Sequence, residues 1–178
     1  MEQAPRAVRL RGSHVAWVRP VRSTDAMELQ RAFALLSEVS RYQRFLTGTP
    51  YLSDREATYF SDVDHMHHEA FVALPEERAH DIVGVARFIR YRAAPTDADL
   101  AITVADGWHG RGLGTALLRL LSARAREIGV RRFAVDMLAD NAAVLRLCRS
   151  AGLIDDGATD QVVSGHIRLE AVAVPQSE

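Results

Sequence analysis

Hydrophobic and polar positions alternate with two different periods along this chain, and each change of period marks an element. His14 to Pro20, HVAWVRP, alternates weakly and ends at a proline, which predicts a first strand after a loose arm spanning residues 1–12. Asp25 with Glu28 three residues later forms a capping-box-like start to a helix carrying Met27, Leu29, Phe33, Leu35 and Leu36. A second helical stretch, Val39 to Leu46, stops at Gly48 and Pro50, and Ser53-Asp54-Arg55-Glu56 opens a third through Tyr59 and Phe60. From Glu69 the period shortens to that of a strand. Ala70 to Leu74 and Ile82 to Ile89 predict two strands joined by a polar loop and so paired antiparallel.

Ala98 to Ala105 reads as the next strand, followed by a glycine-rich turn and a leucine-rich helix through Ile128 that ends at Gly129. Arg132 to Leu138 is a strand. Asn141 to Ala151 is a short helix with Val144, Leu147, Cys148 and Ala151 on one face, closed by Gly152. His166 to Val174 makes a last strand, with a further short strand around Gln161-Val162-Val163. Short loops join most neighbouring strands, whereas one helix links the strand before the glycine turn to the strand after it. The expected fold is therefore α/β in the α+β sense: a mixed, mostly antiparallel central sheet flanked by helices, with one parallel crossover. No repeat or linker divides the sequence, so a single domain over residues 1–178 is expected.

Composition narrows the function classes. At 48% hydrophobic and 25% charged, with a formal net charge of −1, the chain has no overall attraction to nucleic acid. No apolar run approaches the roughly 20 residues that span a bilayer, and the start lacks the pattern of a secretory signal. A single cysteine, Cys148, leaves no internal disulfide to form, so a reducing cytoplasm is the expected compartment; a monomer or homodimer is expected. All 22 basic residues are arginines, so no P-loop lysine or Schiff-base lysine is available.

The turn His109-Gly110-Arg111-Gly112-Leu113-Gly114-Thr115 carries the clearest chemistry. Glycines let the backbone take positive φ and approach a ligand closely, and the first turn of a helix leaves N–H donors unpaired with a partial positive charge. Together these features make an anion cradle. The spacing fits neither the dinucleotide-binding G-x-G-x-x-G nor a lysine-bearing phosphate loop.

The order strand, H-G-R-G-L-G, T-A-L-L, then RFAVDML and ADNAAVLRLCRSAGL resembles the acetyl-CoA-binding core of the GNAT family of N-acetyltransferases, whose signature is Q/R-x-x-G-x-G/A. The segments Ser40 to Phe45 and Ile82 to Phe88 also resemble the corresponding domain of bacterial protein-lysine acetyltransferases, where it is often fused to a cyclic-nucleotide-binding or acyl-CoA-synthetase-like domain; in this sequence it stands alone. The resemblance implies acetyl-CoA as co-substrate, with Gly110, Arg111, Gly112, Leu113, Gly114 and Thr115 on its pyrophosphate. Ile102, Thr103 and Val104 would line the pantetheine arm. His109 stands where the family has Gln or Arg, and Asn141 matches a cofactor-contacting asparagine that is equally a helix cap. It further implies Asp99 as general base, in a position where relatives carry glutamate, and the backbone N–H near Val104 as the thioester-polarising donor. Cys148 stands where many relatives have a tyrosine that protonates the leaving thiolate; a lone cysteine on an apolar helix face is also an ordinary core residue.

His65-Met66-His67-His68-Glu69 crowds imidazoles and a carboxylate, but without the spacing that orients three metal ligands it reads as a polar loop, and no metal is expected. The arginines 119, 124, 126, 131 and 132 read as a solvated face. The expected activity is direct transfer of an acetyl group from acetyl-CoA to a primary amine, foremost a protein lysine. A small amine such as an amino acid, polyamine or antibiotic is the second reading, and a catalytically weak acyl-CoA-binding module the third.

Overall fold

The strand from Asp97 to Val104 and the helix that follows the glycine turn organise the molecule, which we describe from a computed structural model covering residues 4–46, 50–78 and 80–171. In chain order the strands are β1 (Arg6–Arg9), β2 (Val15–Pro20), β3 (His68–Pro75), β4 (Gly84–Arg90), β5 (Asp97–Val104), β6 (Arg132–Leu138), β7 (Leu153–Thr159) and β8 (Val162–Arg168). The helices are α1 (Ala26–Ala34), α2 (Glu38–Phe45), α3 (Asp54–Ser61), α4 (Leu113–Glu127) and α5 (Ala142–Ser150). Among the described residues the strands form one sheet in the order β1-β2-β3-β4-β5-β6-β8-β7. Every neighbouring pair is antiparallel except β5 and β6, which α4 connects as the one parallel crossover.

Strand alternation sends two sets of side chains to opposite faces. One face, with Phe71, Ala86, Phe88 and Leu100, packs against Leu113, Leu117 and Leu121 of α4 and Cys148 of α5. The other, with Ala70, Val72 and Leu74, packs against Leu29 and Phe33 of α1, Leu36 in the turn after it, and Ala57 of α3. Gly84 lets α4 lie close on β4: a Cβ there would fall 2.9 Å from Leu117 Cδ1 and 3.1 Å from Leu113 Cδ2.

Several expectations are corrected. The stretch read as a loose arm contains β1, paired with β2 from Arg6↔Val18 to Arg9↔Val15; as a mostly exposed edge strand it takes its order from its partner, not from an apolar pattern of its own. Asp25 does not cap α1 with its side chain. Its carboxylate accepts from the Arg22 N–H at 2.8 Å and holds the Arg19 guanidinium through both oxygens, at 2.7 and 2.8 Å. The expected strand His166 to Val174 ends at Arg168, where a 3-10 turn Leu169–Ala171 begins; Val172 to Val174 lie outside the described residues, as does Gly48. The segment Leu153–Thr159, for which the hydrophobic pattern predicts no element, is β7. Its Asp155-Asp156-Gly157 run carries no strand signal, and β8 supplies the pairing across a bulge at Asp155/Gly157.

Candidate active site

The glycine turn builds an anion cradle from backbone. Gly110 and Gly112 take φ of +74° and +88°, and Gly112 is the N-cap of α4. The first intrahelical bond runs from Ala116 N to Gly112 O at 3.1 Å, which leaves the N–H groups of Leu113, Gly114 and Thr115 to the helix's open end. Side chains divide from backbone at this point: Leu113 is buried in the core, and a Cβ on Gly114 would meet Leu147 Cδ2 at 3.4 Å. These two residues therefore offer only their amides. The Arg111 guanidinium lies 4.9 Å from the Trp108 ring centroid, and its carbonyl accepts from Arg11 N at 3.0 Å, so the turn is braced by the chain ahead of β2.

Beside the cradle the sheet splits. β5 and β6 share only the register pairs Asp97↔Arg132, Ala98↔Phe133 and Asp99↔Ala134, although both strands continue. On its other side β5 pairs with β4 along its full length. Ala105 N donates to Val83 O at 2.9 Å, and antiparallel alternation then points the N–H and C=O groups of Ile102 and Val104 toward the gap that β6 has left. His109 Nε2 meets the Val104 carbonyl at 2.8 Å, so its ring ties the turn to this edge as a donor. The free strand edge and the cradle form one continuous surface, a fit for an extended chain ending in phosphates.

That geometry bears on the expected donor near Val104. Val104 lies five residues from Asp99 on extended backbone, roughly 16 Å between Cα atoms at 3.3 Å per residue, and Ile102 three residues. The edge-facing N–H of Ile102 is the nearer donor.

Asp99 is half-buried at the vertex of the split. Burial raises its carboxyl above the ordinary value of 3.8; the Arg44 charge opposes this and the Asp136 charge adds to it. Tyr91 faces the same group, its phenol raised first by burial and then by Asp99. Arg44, Asp136 and Tyr91 are the residues that sequence reasoning missed. They come from α2, β6 and the turn after β4, and no local spacing links them.

The remaining candidates fall elsewhere. Asn141 caps α5, its Oδ1 accepting from Val144 N at 3.1 Å. Cys148 is 2% exposed in the core beneath α5, and burial pushes its thiol up to about 11, so it is a poor acid shut away from the split. The expected acid role is corrected accordingly. In the histidine-rich segment each ring turns to a different partner: His65 to Glu69 at 2.7 Å, His67 to Asp64 at 3.0 Å and His68 to Arg87 at 3.0 Å. No helix among the described residues is long and apolar enough to cross a membrane.

Comparison with known proteins identifies the family and the fold. Residues 16–154 match the family model described as Acetyltransferase (GNAT) domain. The chain is 30% identical over 155 residues to Acetyltransferase Pat of Mycolicibacterium smegmatis, covering 84% of this chain and 44% of Pat, so it spans less than half of that relative. Over 145 residues it is 32% identical to Acetyltransferase PA5475 of Pseudomonas aeruginosa, covering 80% of this chain and 76% of that one. The crystal structure of the GNAT domain of S. lividans PAT superposes with a TM-score of 0.85 at 28% identity, covering 92% of this chain and 96% of that one.

Proposed function

This chain belongs to the GNAT family, and we propose that it is an acetyl-CoA-dependent N-acetyltransferase whose acceptor amine is the side chain of a protein lysine. The observation that carries this reading is the carboxylate of Asp99 where β5 and β6 part, with Asp136 two residues beyond its partner Ala134 on the same face of β6: together these carboxylates favour an arriving ammonium. The similarity to Pat proteins supports the same choice. On this reading residues 1–178 form one acetyltransferase domain working in the cytoplasm.

In the proposed arrangement the amides of Gly112 to Thr115, with Arg111, hold the donor's pyrophosphate. The open edge at Ile102 and Val104 hydrogen-bonds its pantetheine arm, with the Thr103 backbone between them. The thioester supplies an electrophilic acetyl carbon; the chain's own residues position it and move one proton. Asp99 accepts that proton from the lysine ammonium, directly or through one water, since aspartate is a methylene shorter than glutamate. The Ile102 N–H polarises the acetyl carbonyl. As the C–N bond forms and the C–S bond breaks, the attacking nitrogen loses its second proton and the sulfur takes it up, departing as CoA thiol.

The chain contains no lysine, which makes the test clean: any acetyl-lysine formed belongs to the acceptor. Incubation with acetyl-CoA and lysine-bearing proteins, read by CoA thiol release and by mass spectrometry of the acceptor, is expected to show lysine acetylation. Thiol release only with small amines would move the assignment to that acceptor class.

A further inference from the structure

On the sheet face covered by α1 to α3 lies a cavity of about 60 Å³, walled by Phe33, Phe45, Phe60 and Val85, whose charged lining is Arg44 and Arg87. The register pairs Ile89↔Asp99, Arg87↔Ala101 and Val85↔Thr103 put Arg87 on the same sheet face as Asp99. The cavity therefore adjoins the reaction centre.

Arg87 is 5% exposed, yet no carboxylate among the described residues hydrogen-bonds to it. Both of its hydrogen bonds leave from Nη1, to Phe60 O at 3.2 Å and to His68 Nε2 at 3.0 Å, and the Phe60 ring centroid lies 4.3 Å from the guanidinium carbon. The Nη2 side of its fork is uncommitted among these contacts. Burial lowers its pKa to about 9, with the Arg44 charge as the second cause. Arg44 is itself lowered by burial, and the Asp99 charge opposes this. Two buried guanidiniums thus line one aromatic pocket, with the Asp99 carboxylate acting on Arg44 and none on Arg87, a costly arrangement unless something anionic completes it. A planar fork with free donors matches a carboxylate. The small volume and aromatic walls suit a carboxylate on a short carbon chain better than a hydrated phosphate.

We propose that Arg87 and Arg44 form a receiving site for a substrate carboxylate, carried on a short chain either by the acyl group of the thioester or by the amine acceptor. The site rests on the acetyltransferase reading above, because its ligand arrives on one of the two reactants. It adds to that reading a class of substrate that acetyl-CoA and a simple lysine do not by themselves require.

The test uses the full chain in two arms. In the donor arm, thiol release is compared for succinyl-CoA and butyryl-CoA, which differ in the terminal carboxylate. In the acceptor arm, acetyl-CoA is held constant while lysyl or amino-acid acceptors bearing a carboxylate are compared with their amides. Acetyl-CoA affinity is measured in parallel by calorimetry. The expected result is a preference in kcat/KM of about tenfold or more for the carboxylate in one arm, which identifies its carrier. Arg87→Gln, or Arg44→Gln if the first variant does not fold, is expected to collapse that preference to about twofold or less. Acetyl-CoA binding and turnover without preference in either arm would overturn this site alone, as would a preference that survives in folded Arg87→Gln. Absence of acetyl-CoA binding would overturn the acetyltransferase reading and this site with it.

Discussion

Asp99 and Ala134 are the last residues that β5 and β6 share, so the Asp99 carboxyl stands where the sheet opens. Beyond this pair β5 keeps its partner on one side and offers free backbone on the other. The same strand therefore carries the proposed base at one end of the split and leads into the anion cradle at the other.

Asp99→Asn keeps the shape of the side chain and removes the proton acceptor. It is expected to lower kcat by about 10²-fold or more while acetyl-CoA affinity changes by less than about twofold. Because burial and Asp136 raise the Asp99 pKa, the acid limb of the wild-type rate is expected above the ordinary aspartate value of 3.8, and the variant should lack that limb. Equal rates in variant and wild type would remove Asp99 from the mechanism.

His68 predicts an acid-side loss of stability. Burial and the neighbouring Arg87 charge depress its pKa to about 4 from 6.5, so its contribution is fully present above the unfolded value and fades as pH falls from there toward the folded value. The loss amounts to about 3 kcal/mol at most. Urea unfolding between about pH 7 and pH 4.5 should show a steeper decline for wild type than for His68→Gln. Parallel declines would contradict the assignment.

Asp106 fixes α2 from a distance. Its carboxylate accepts from Ser37 N at 2.9 Å, Ser37 Oγ at 3.0 Å and Ser40 Oγ at 2.6 Å, tying the helix that bears Arg44 to the turn before the cradle. Asp106→Ala is expected to cost about 1 kcal/mol in denaturant unfolding and to speed amide exchange in the first turn of α2. Unchanged exchange there would mean that the local cap alone, Ser37 Oγ accepting from Ser40 N at 3.2 Å, holds the helix.

At Gly84 the contact with α4 sets the expectation. Gly84→Ala forces Leu117 or Leu113 to move, at a cost of about 1–3 kcal/mol in unfolding free energy. A neutral substitution would show that α4 shifts freely on β4.

What the sequence made readable were elements with local causes. The Ser53 and Glu56 capping box, the strand Arg132–Leu138 and the helix after Gly112 all appear where periodicity and capping residues put them, because those signals act within a few residues. Edge strands were not readable: Arg6–Arg9 and Leu153–Thr159 are exposed and polar, and their order comes from strands β2 and β8. The same limit applies to the site. The glycines announce a cradle because their conformation is local, whereas Arg44, Arg87 and Asp136 converge only through tertiary packing, and a buried arginine is written in the sequence like a solvated one.

The most direct test of the account is calorimetric titration of CoA into wild type and Gly112→Val. Gly112 sits at φ +88° with open space where a Cβ would point, so the variant strains the turn's conformation without a clash inside the protein. The account predicts micromolar binding for wild type and an affinity weakened by about tenfold or more in the folded variant. No binding to wild type, or equal affinity in both, would contradict it.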